Sequence, residues 1–301
     1  MNTRVNICGV ELKNPVIAAS GTFGFGREYN EFYDVGMLGG ISSKGLTLLP
    51  REGNDGVRIA ETPSGILNCV GLQNPGVEAF IERELPFMRE SGAVVIANAA
   101  GSSLQDYEKI CERLSETDVD MIELNISCPN VRCGGMSFGV LPSSVEEVTR
   151  AARSHCSKPL IVKLTPNVSD IADNARAAEN GGADAVSLIN TLTGMAVDVY
   201  TRRPVLGNVT GGLSGPCVKP VALRMVRQVY KAVSVPVIGL GGITSARDVL
   251  EFMLCGAAAV QVGTANLSDP LACADIVNGL TAEMEKCRID DINDIVGKLL
   301  D

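Results

Sequence analysis

The chain has 301 residues, of which 46% are hydrophobic and 20% are charged. This balance allows a large buried core and argues against a mainly disordered protein. The net charge of −9 disfavours a general nucleic-acid binder, which would carry a basic face, so no nucleic-acid partner is expected. No run reaches the roughly 18 apolar residues that cross a bilayer, and no signal peptide is visible, so no membrane partner is expected either.

Short apolar runs typical of strands alternate along the chain with amphipathic stretches typical of helices. After a hairpin at 4–13, strands are predicted at 15–19, 40–44, 94–98, 121–126, 159–164, 185–190, 235–239 and 258–263. Helices are predicted at 77–90, 103–116, 144–156, 169–180, 218–232, 244–255 and 269–286. Two segments, 45–76 and 191–217, have no predicted regular structure, and segments of that length usually belong to a site or an interface.

This alternation predicts an α/β fold, namely a single (β/α)8 TIM barrel over residues 1–301 with an N-terminal β-hairpin and long active-site loops. The strands are continuous apolar runs because a parallel sheet is covered on both faces. A doubly wound parallel sheet is the competing architecture. Polar residues end strands along the whole chain, which favours a barrel, because its strand ends meet at one rim.

Ten cysteines are spread along the chain, and none forms a CxxC pair. A disulfide framework is not expected in a chain of this length that places Cys111 and Cys255 in predicted helices. A reducing, cytoplasmic location is the simpler interpretation. No histidine lies near a cysteine pair at metal-ligand spacing, so no metal site is predicted.

Two glycine clusters close the last two predicted strands, Gly239-Leu-Gly-Gly-Ile-Thr244 and Val262-Gly-Thr-Ala265. Glycines let backbone N–H groups approach a phosphate, and the loops after strands seven and eight are a frequent phosphate site in barrels. A dinucleotide fingerprint is not predicted here, because Thr244 stands where the third glycine would be needed.

Amides and lysines end several predicted strands. Asn98, Asn125 and Asn190 end three of them, and Lys44 and Lys163 end two others. An amide both donates and accepts hydrogen bonds, so this set suits a heterocycle that carries amides and carbonyls. Two cations at the same rim can hold an anion or stabilise an electron-rich ring.

Cys128 follows Asn125 in the loop that leaves the fourth barrel strand, and it is the candidate general base. No lysine or histidine stands near it in sequence to lower its pKa, so activity is expected to rise toward alkaline pH. His155, the one histidine, falls at a helix end that leads into a strand, which is the bottom of a barrel. A serine–histidine triad is therefore not predicted.

Six motifs, found in order, resemble the catalytic subunit of dihydroorotate dehydrogenases. They are Ala19-Ser-Gly-Thr22, Glu61-Thr-Pro-Ser-Gly65, Gly71-Leu-Gln-Asn-Pro-Gly76, Asn125-Ile-Ser-Cys-Pro-Asn130, Gly211-Gly-Leu-Ser-Gly-Pro216 and Gly239-Leu-Gly-Gly-Ile243. The resemblance runs from about residue 4 to the C-terminus. It implies an FMN-binding barrel that oxidises (S)-dihydroorotate to orotate in pyrimidine synthesis.

The resemblance also implies roles for individual residues. Cys128 would remove the C5 proton while hydride leaves C6 for FMN. Contacts to FMN are implied for Ser20, Lys44, Gly45, Asn98, Asn125, Lys163, Ile189, Gly215, Gly241, Gly242, Gly263 and Thr264. Contacts to the substrate are implied for Lys44, Asn68, Cys69, Val70, Gly71, Leu72, Asn125, Asn190 and Thr191.

The loop around Cys128 resembles one class of this family. Membrane-linked class 2 enzymes use serine as the base, so the cysteine resembles class 1. The continuation Asn130-Val-Arg-Cys-Gly-Gly-Met-Ser-Phe-Gly139 resembles class 1B. That class implies a partner subunit with FAD and a [2Fe-2S] cluster, which passes electrons to NAD⁺, in a heterotetramer of two copies of each chain.

Three alternatives stay open at this point. The first is the homodimeric, fumarate-reducing class 1A of the same family. The second is an FMN barrel that reduces uridine in transfer RNA, which the net charge of −9 disfavours. The third is a non-catalytic flavin carrier, in which a cysteine among strand-end asparagines would have no purpose.

Overall fold

The computed structural model describes residues 1–126 and 138–300. The strands are β1 Val5–Ile7, β2 Val10–Leu12, β3 Val16–Ala18, β4 Gly40–Ser42, β5 Ile59–Thr62, β6 Gly65–Asn68, β7 Val94–Ala99, β8 Met121–Asn125, β9 Leu160–Lys163, β10 Ala185–Leu188, β11 Leu192–Gly194, β12 Val197–Asp198, β13 Arg203–Pro204, β14 Gly211–Ser214, β15 Val237–Leu240 and β16 Ala257–Val262. The α-helices are α1 Arg27–Asn30, α2 Val77–Ala79, α3 Leu85–Glu90, α4 Leu104–Ser115, α5 Pro142–Ser154, α6 Ile171–Asn180, α7 Lys219–Tyr230, α8 Ala246–Leu254, α9 Ala265–Ser268 and α10 Ala272–Cys287.

Eight parallel strands close into a barrel in the order β10, β15, β16, β3, β4, β7, β8, β9. The last strand in sequence pairs with the first barrel strand, with Val260 opposite Val16. Every residue of β9, β10 and β15 is buried, as expected for strands covered on both faces. The predicted TIM barrel is thus confirmed, and the doubly wound sheet is excluded.

The N-terminal hairpin is confirmed as well. Strands β1 and β2 pair antiparallel, with Val5 opposite Leu12. Both turn residues, Cys8 and Gly9, have positive φ angles of 53° and 87°, as a two-residue hairpin turn of type I′ requires. The Cys8 thiol donates to the carbonyl of Asp184 at 3.1 Å, just before β10 begins. The hairpin therefore lies at the amino-terminal end of the barrel.

Helices α4, α6 and α8 of the barrel each begin at a residue whose side chain caps the helix, namely Ser103, Asp170 and Ser245. In α4, Ser103 and Asp106 form a capping box, in which each side chain accepts from the other residue's backbone. Ile110 and Leu114 recur at helical spacing on the buried face of this helix. Within the described ranges, no helix is both long and apolar enough to span a bilayer.

The helix predicted at 77–90 is interrupted in the structure. Helices α2 and α3 are separated by a π-turn at Phe80–Glu84. Pro86 lies in the first turn of α3. Proline lacks an N–H and its ring clashes with the carbonyl four residues earlier, so a regular α-helix cannot continue through this point.

The two segments predicted without regular structure contain strands, which corrects that interpretation. Strands β11, β14, β6 and β5 form an antiparallel sheet that joins segment 191–217 to segment 45–76. Asn68 lies opposite Gly212 in this sheet. A small core of its own, Leu67, Cys69 and Leu206, supports the sheet. We call these four strands and their core the cover sheet.

His155 lies where it was predicted, at the end of α5 and before β9. It caps the helix, is exposed, and its Nδ1 lies 3.0 Å from the hydroxyl of Ser154. The carboxyl end of β9, which carries Lys163, is at the opposite end of that strand. This histidine is thus placed away from the carboxyl rim of the barrel.

Candidate active site

A cavity of about 260 Å³ lies at the carboxyl ends of the barrel strands. Seven of the eight strands end at its lining: Ser20 after β3, Lys44 and Gly45 after β4, Asn125 in β8, Lys163 in β9, Ile189, Asn190 and Thr191 after β10, Gly241 and Gly242 after β15, and Gly263 and Thr264 after β16. The cover sheet contributes Asn68, Ile66 and Leu213, with Val70, Gly71 and Leu72 just beyond β6. The structure therefore brings together nearly all of the predicted site residues.

Cys69 is an exception among the described residues, because it does not line the cavity. Its side chain is fully buried and its sulfur lies 3.5 Å from the carbonyl oxygen of Val57. Side chains alternate along an extended segment, so Asn68 and Val70 face the cavity while Cys69 faces the small core. The motif identified the segment but did not specify which face each residue occupies.

Asn98 is the second exception. It is fully buried, and its Nδ2 donates to Glu123 at 2.6 Å while its Oδ1 accepts from Asn125 at 3.3 Å. Asn98 thus lies beneath the cavity lining and supports Asn125 from below. A direct contact of Asn98 with a cofactor stays a prediction.

Cys128 lies outside the described residues, so its assignment as the base stays a prediction. The described residues before it lie at the rim of the cavity. Asn125 lines the cavity, and the Tyr107 hydroxyl of α4 donates to its carbonyl at 2.9 Å. This bond ties the end of β8 to the helix behind it.

One side of the cavity is built from glycine backbone. Gly215, Gly241 and Gly242 all have positive φ, at 107°, 120° and 74°. A Cβ on Gly242 would lie 2.8 Å from the carbonyl oxygen of Gly215, and one on Gly215 would lie 2.7 Å from the Cα of Gly65. These turns therefore require glycine and leave backbone exposed where a side chain would otherwise stand. We call them the glycine cradle, and such a surface suits a phosphate.

The floor of the cavity holds a buried ion pair. Lys163 lines the cavity with a side chain that is 5% exposed, and its Nζ lies 3.4 Å from a carboxylate oxygen of Glu123, whose side chain is 0% exposed. Lys163 also donates to the Ser20 hydroxyl at 3.1 Å. Burial is the largest influence on the pKa of Glu123 and raises it, but the Lys163 charge and the hydrogen bonds to the carboxylate outweigh burial and lower that pKa below its ordinary value.

Glu123 was not among the site residues predicted from the sequence. The available signal was a carboxylate in the middle of a continuous apolar run, Met121–Asn125. A charge in such a run must be paired or hydrogen-bonded inside the protein, because burial of an unpaired carboxylate is too unfavourable. Gln261, the second-last residue of β16, is likewise a polar side chain in an apolar run, and it donates to Glu123 at 2.6 Å.

The fold and the site together define a barrel enzyme whose cavity combines the glycine cradle, a buried cation and several amides. Comparison with known proteins gives the family. The model of the dihydroorotate dehydrogenase family matches residues 2–284. The chain belongs to the dihydroorotate dehydrogenase family.

Three similar proteins carry the same name, dihydroorotate dehydrogenase B (NAD(+)), catalytic subunit. The protein of Alkaliphilus oremlandii is 56% identical over 298 residues, which is 99% of both chains. Those of Alkaliphilus metalliredigens and Petrotoga mobilis are 55% and 53% identical, again over 99% of each chain. The resemblance stated from the six motifs is confirmed, including its NAD-linked class.

Proposed function

We propose that this chain is the catalytic subunit of an NAD⁺-linked dihydroorotate dehydrogenase, which oxidises (S)-dihydroorotate to orotate in pyrimidine biosynthesis. The observation that carries the proposal is that one cavity joins the glycine cradle and Lys163 to the amides Asn68, Asn125 and Asn190. A phosphate-bearing ring and an amide-rich heterocycle can therefore lie side by side. The full-length similarity to catalytic subunits of this name supports the same function.

The cofactor that fits this cavity is FMN, one per chain. The glycine cradle offers backbone N–H groups where any side chain would collide, which suits the terminal phosphate of FMN. Lys163 supplies a positive charge at the floor, under the position available to a ring system. When bound, FMN supplies a hydride acceptor for the substrate.

The substrate end is formed by Lys44 and the amides. Asn68 reaches it from the cover sheet, Asn125 from β8, and Asn190 with Thr191 from the loop after β10. Each amide can match an amide or carbonyl edge of dihydroorotate, and the Lys44 ammonium complements its carboxylate. These residues would orient the ring so that its two reacting C–H bonds point to different sides.

The proton at C5 would be removed by Cys128. The described neighbour Asn125 lines the cavity at the end of β8, three residues before this cysteine in sequence. Cysteine is nucleophilic and basic as the thiolate, so the reaction requires its ionised form. Class 1A activity, with fumarate as acceptor, is the alternative for the same site, but the names of the similar proteins favour the NAD-linked class.

The electrons would leave through a second protein. The similar proteins are named catalytic subunits, which supports a separate partner subunit. We propose that this partner carries FAD and a [2Fe-2S] cluster and passes electrons to NAD⁺, in a heterotetramer with two copies of each chain.

The test begins with the purified chain loaded with FMN and kept without oxygen. Dihydroorotate should bleach the flavin absorption and yield one orotate per flavin. With the partner subunit present, NAD⁺ should then be reduced continuously. Protein that binds no FMN, or bound flavin that dihydroorotate leaves oxidised, would refute the proposal, and steady fumarate reduction by the chain alone would assign it to class 1A.

A further inference from the structure

We propose that Glu123 is a positioning residue that sets the charge of the cavity floor and thereby the reduction potential of the bound flavin. This inference rests on the proposed FMN site. Glu123 was absent from the predicted site residues and does not line the cavity. It would act through Lys163, and through Asn98 on Asn125.

Glu123 is the meeting point of side chains from five other barrel strands. Its two oxygens accept hydrogen bonds from Ser42 of β4 at 3.1 Å, Asn98 of β7 at 2.6 Å, Ser187 of β10 at 2.8 Å and Gln261 of β16 at 2.6 Å, and they face Lys163 of β9 at 3.4 Å. The side chain is completely buried. A carboxylate in this position is held mainly by neutral donors, since the one cation is the most distant of its partners.

The distances define what Glu123 does to Lys163. The ammonium lies 3.1 Å from Ser20 and 3.4 Å from both Glu123 and Gln261, so it is shared among three oxygens. One positive and one negative charge therefore lie 3.4 Å from each other in a buried floor. Such a pair presents the cavity with a weakened cation, because the carboxylate offsets part of the field of the ammonium.

Glu123 also fixes the orientation of two amides. A carboxylate only accepts hydrogen bonds, so Asn98 must turn its NH₂ group toward Glu123 and its oxygen the other way. That oxygen accepts from Nδ2 of Asn125 at 3.3 Å. Asn125 lines the cavity, so one buried carboxylate determines which way a cavity amide faces.

The consequence for the flavin follows from charge. Reduction adds negative charge to the ring, and a more positive floor favours the reduced form. Glu123→Gln removes the negative charge and keeps the side-chain size. The expected result is at least a tenfold increase in the affinity for reduced relative to oxidised FMN, which corresponds to a rise in midpoint potential of about 30 mV.

The experiment measures the midpoint potential of the FMN-loaded protein by anaerobic dye-coupled titration. Three variants accompany the wild type. Glu123→Asp keeps the charge and is expected to return the potential toward the wild-type value. Ser187→Ala removes one neutral donor to Glu123 at 2.8 Å and keeps both charges, so its potential should stay within threefold, about 14 mV, of the wild type.

A double variant, Glu123→Gln with Lys163→Gln, guards against misfolding of the single variant, because it leaves no buried charge without a partner. It also removes the Lys163 cation that lines the cavity, so its potential should fall at least tenfold, about 30 mV, below that of Glu123→Gln. An unchanged or lowered potential in folded Glu123→Gln would overturn the inference. So would a double variant whose potential stays as high as that of Glu123→Gln, because Glu123 would then not act through Lys163.

Failure of the inference can be distinguished from failure of the proposed function. Wild-type protein that does not bind FMN refutes the function. Wild-type protein that binds FMN and is reduced by dihydroorotate, with Glu123→Gln at the same potential, refutes the inference alone. Thermal unfolding of the FMN-free variants provides a second readout, since a purely structural role lowers the melting temperature and leaves the potential unchanged.

Discussion

The floor of the cavity and the cover sheet differ in how completely their residues are buried and hydrogen-bonded. The floor consists of barrel strands in which every residue of β8 and β9 is buried, and its polar side chains bond across six strands. The cover sheet has short strands, and two of them, β5 and β11, alternate between exposed and half-buried residues, with Ile59 of β5 51% exposed. The charged pair Glu123 and Lys163 thus lies in the fully buried region of the molecule. The cover sheet is supported by a small apolar core only.

Cys128 lies outside the described residues, and its replacement should have the largest effect. Cys128→Ala should keep FMN and lower the rate of dihydroorotate oxidation by about 10²–10⁴-fold, the usual contribution of a general base. Stopped-flow bleaching of the flavin measures this rate. Cys287→Ala, at an exposed cysteine, is the matched control and should change nothing.

The same base sets a pH dependence. A free thiol has a pKa of about 8.5, so the rate should rise as pH increases from 6 to 9 and the thiolate accumulates. A flat profile over that range would argue against Cys128 as the base.

The difference in stability between the two regions can be tested with one leucine in each. Leu124→Ala opens a cavity in the barrel wall, where the residue is fully buried, and should lower the free energy of unfolding by about 2–5 kcal/mol. Leu206→Ala lies in the small core of the cover sheet, which can collapse more easily, and should cost less. Urea unfolding measures both free energies, and equal losses would show that the core of the cover sheet is packed as tightly as the barrel.

The glycine cradle links the two regions, because Gly242 follows β15 and Gly215 follows β14. Gly242→Ala should lower FMN affinity by about tenfold to a hundredfold, since its Cβ would lie 2.8 Å from a backbone oxygen. Gly92→Ala is the matched control. It has nearly the same φ, 72° against 74°, and nothing within 4 Å of its Cβ. Equal FMN affinities of the two variants would show that close packing around Gly242 does not shape the phosphate site.

The smallest expected effect is on stability in acid. The folded-state pKa of Glu123 is lowered, so its contribution to stability is present above the ordinary carboxyl value of 4.5 and is lost as pH falls through the folded value. Urea unfolding at pH 7, 5 and 4 should show a steeper loss for wild type than for Glu123→Gln. Glu78→Gln removes an exposed partner of Arg113 and is the control, because salt screens that pair.

Much of the fold could be predicted from sequence because barrel strands are uninterrupted apolar runs and glycines close the last two. Lys163 and Asn125 were found for the same reason, since they end such runs. The cover sheet was not found, because β11 and β14 are short and glycine-containing, and β6, the second partner of β14, lies more than a hundred residues away. Only the tertiary fold brings those segments together.

The limits at the site have a similar origin. A motif places a segment at the cavity but not the direction of each side chain, so Cys69 was grouped with its neighbours Asn68 and Val70. The resemblance implies that Asn98 contacts the cofactor, and it gave no sign of the hydrogen bond from Asn98 to the Glu123 carboxylate beneath the lining. The charge in β8 was visible in the sequence, but five partners from five strands could not be assigned without the barrel that joins them.

The convergence on Glu123 also constrains how the chain reaches its native state. Its partners are distributed between residues 42 and 261, so no half of the chain can satisfy the carboxylate alone. A folding intermediate that lacks β4 or β16 would bury the Glu123 carboxylate with fewer hydrogen-bond partners, and this cost disfavours the intermediate. We therefore expect the backbone amide hydrogens of these strands to exchange with solvent in one cooperative step, because the strands that meet at Glu123 form their native contacts together.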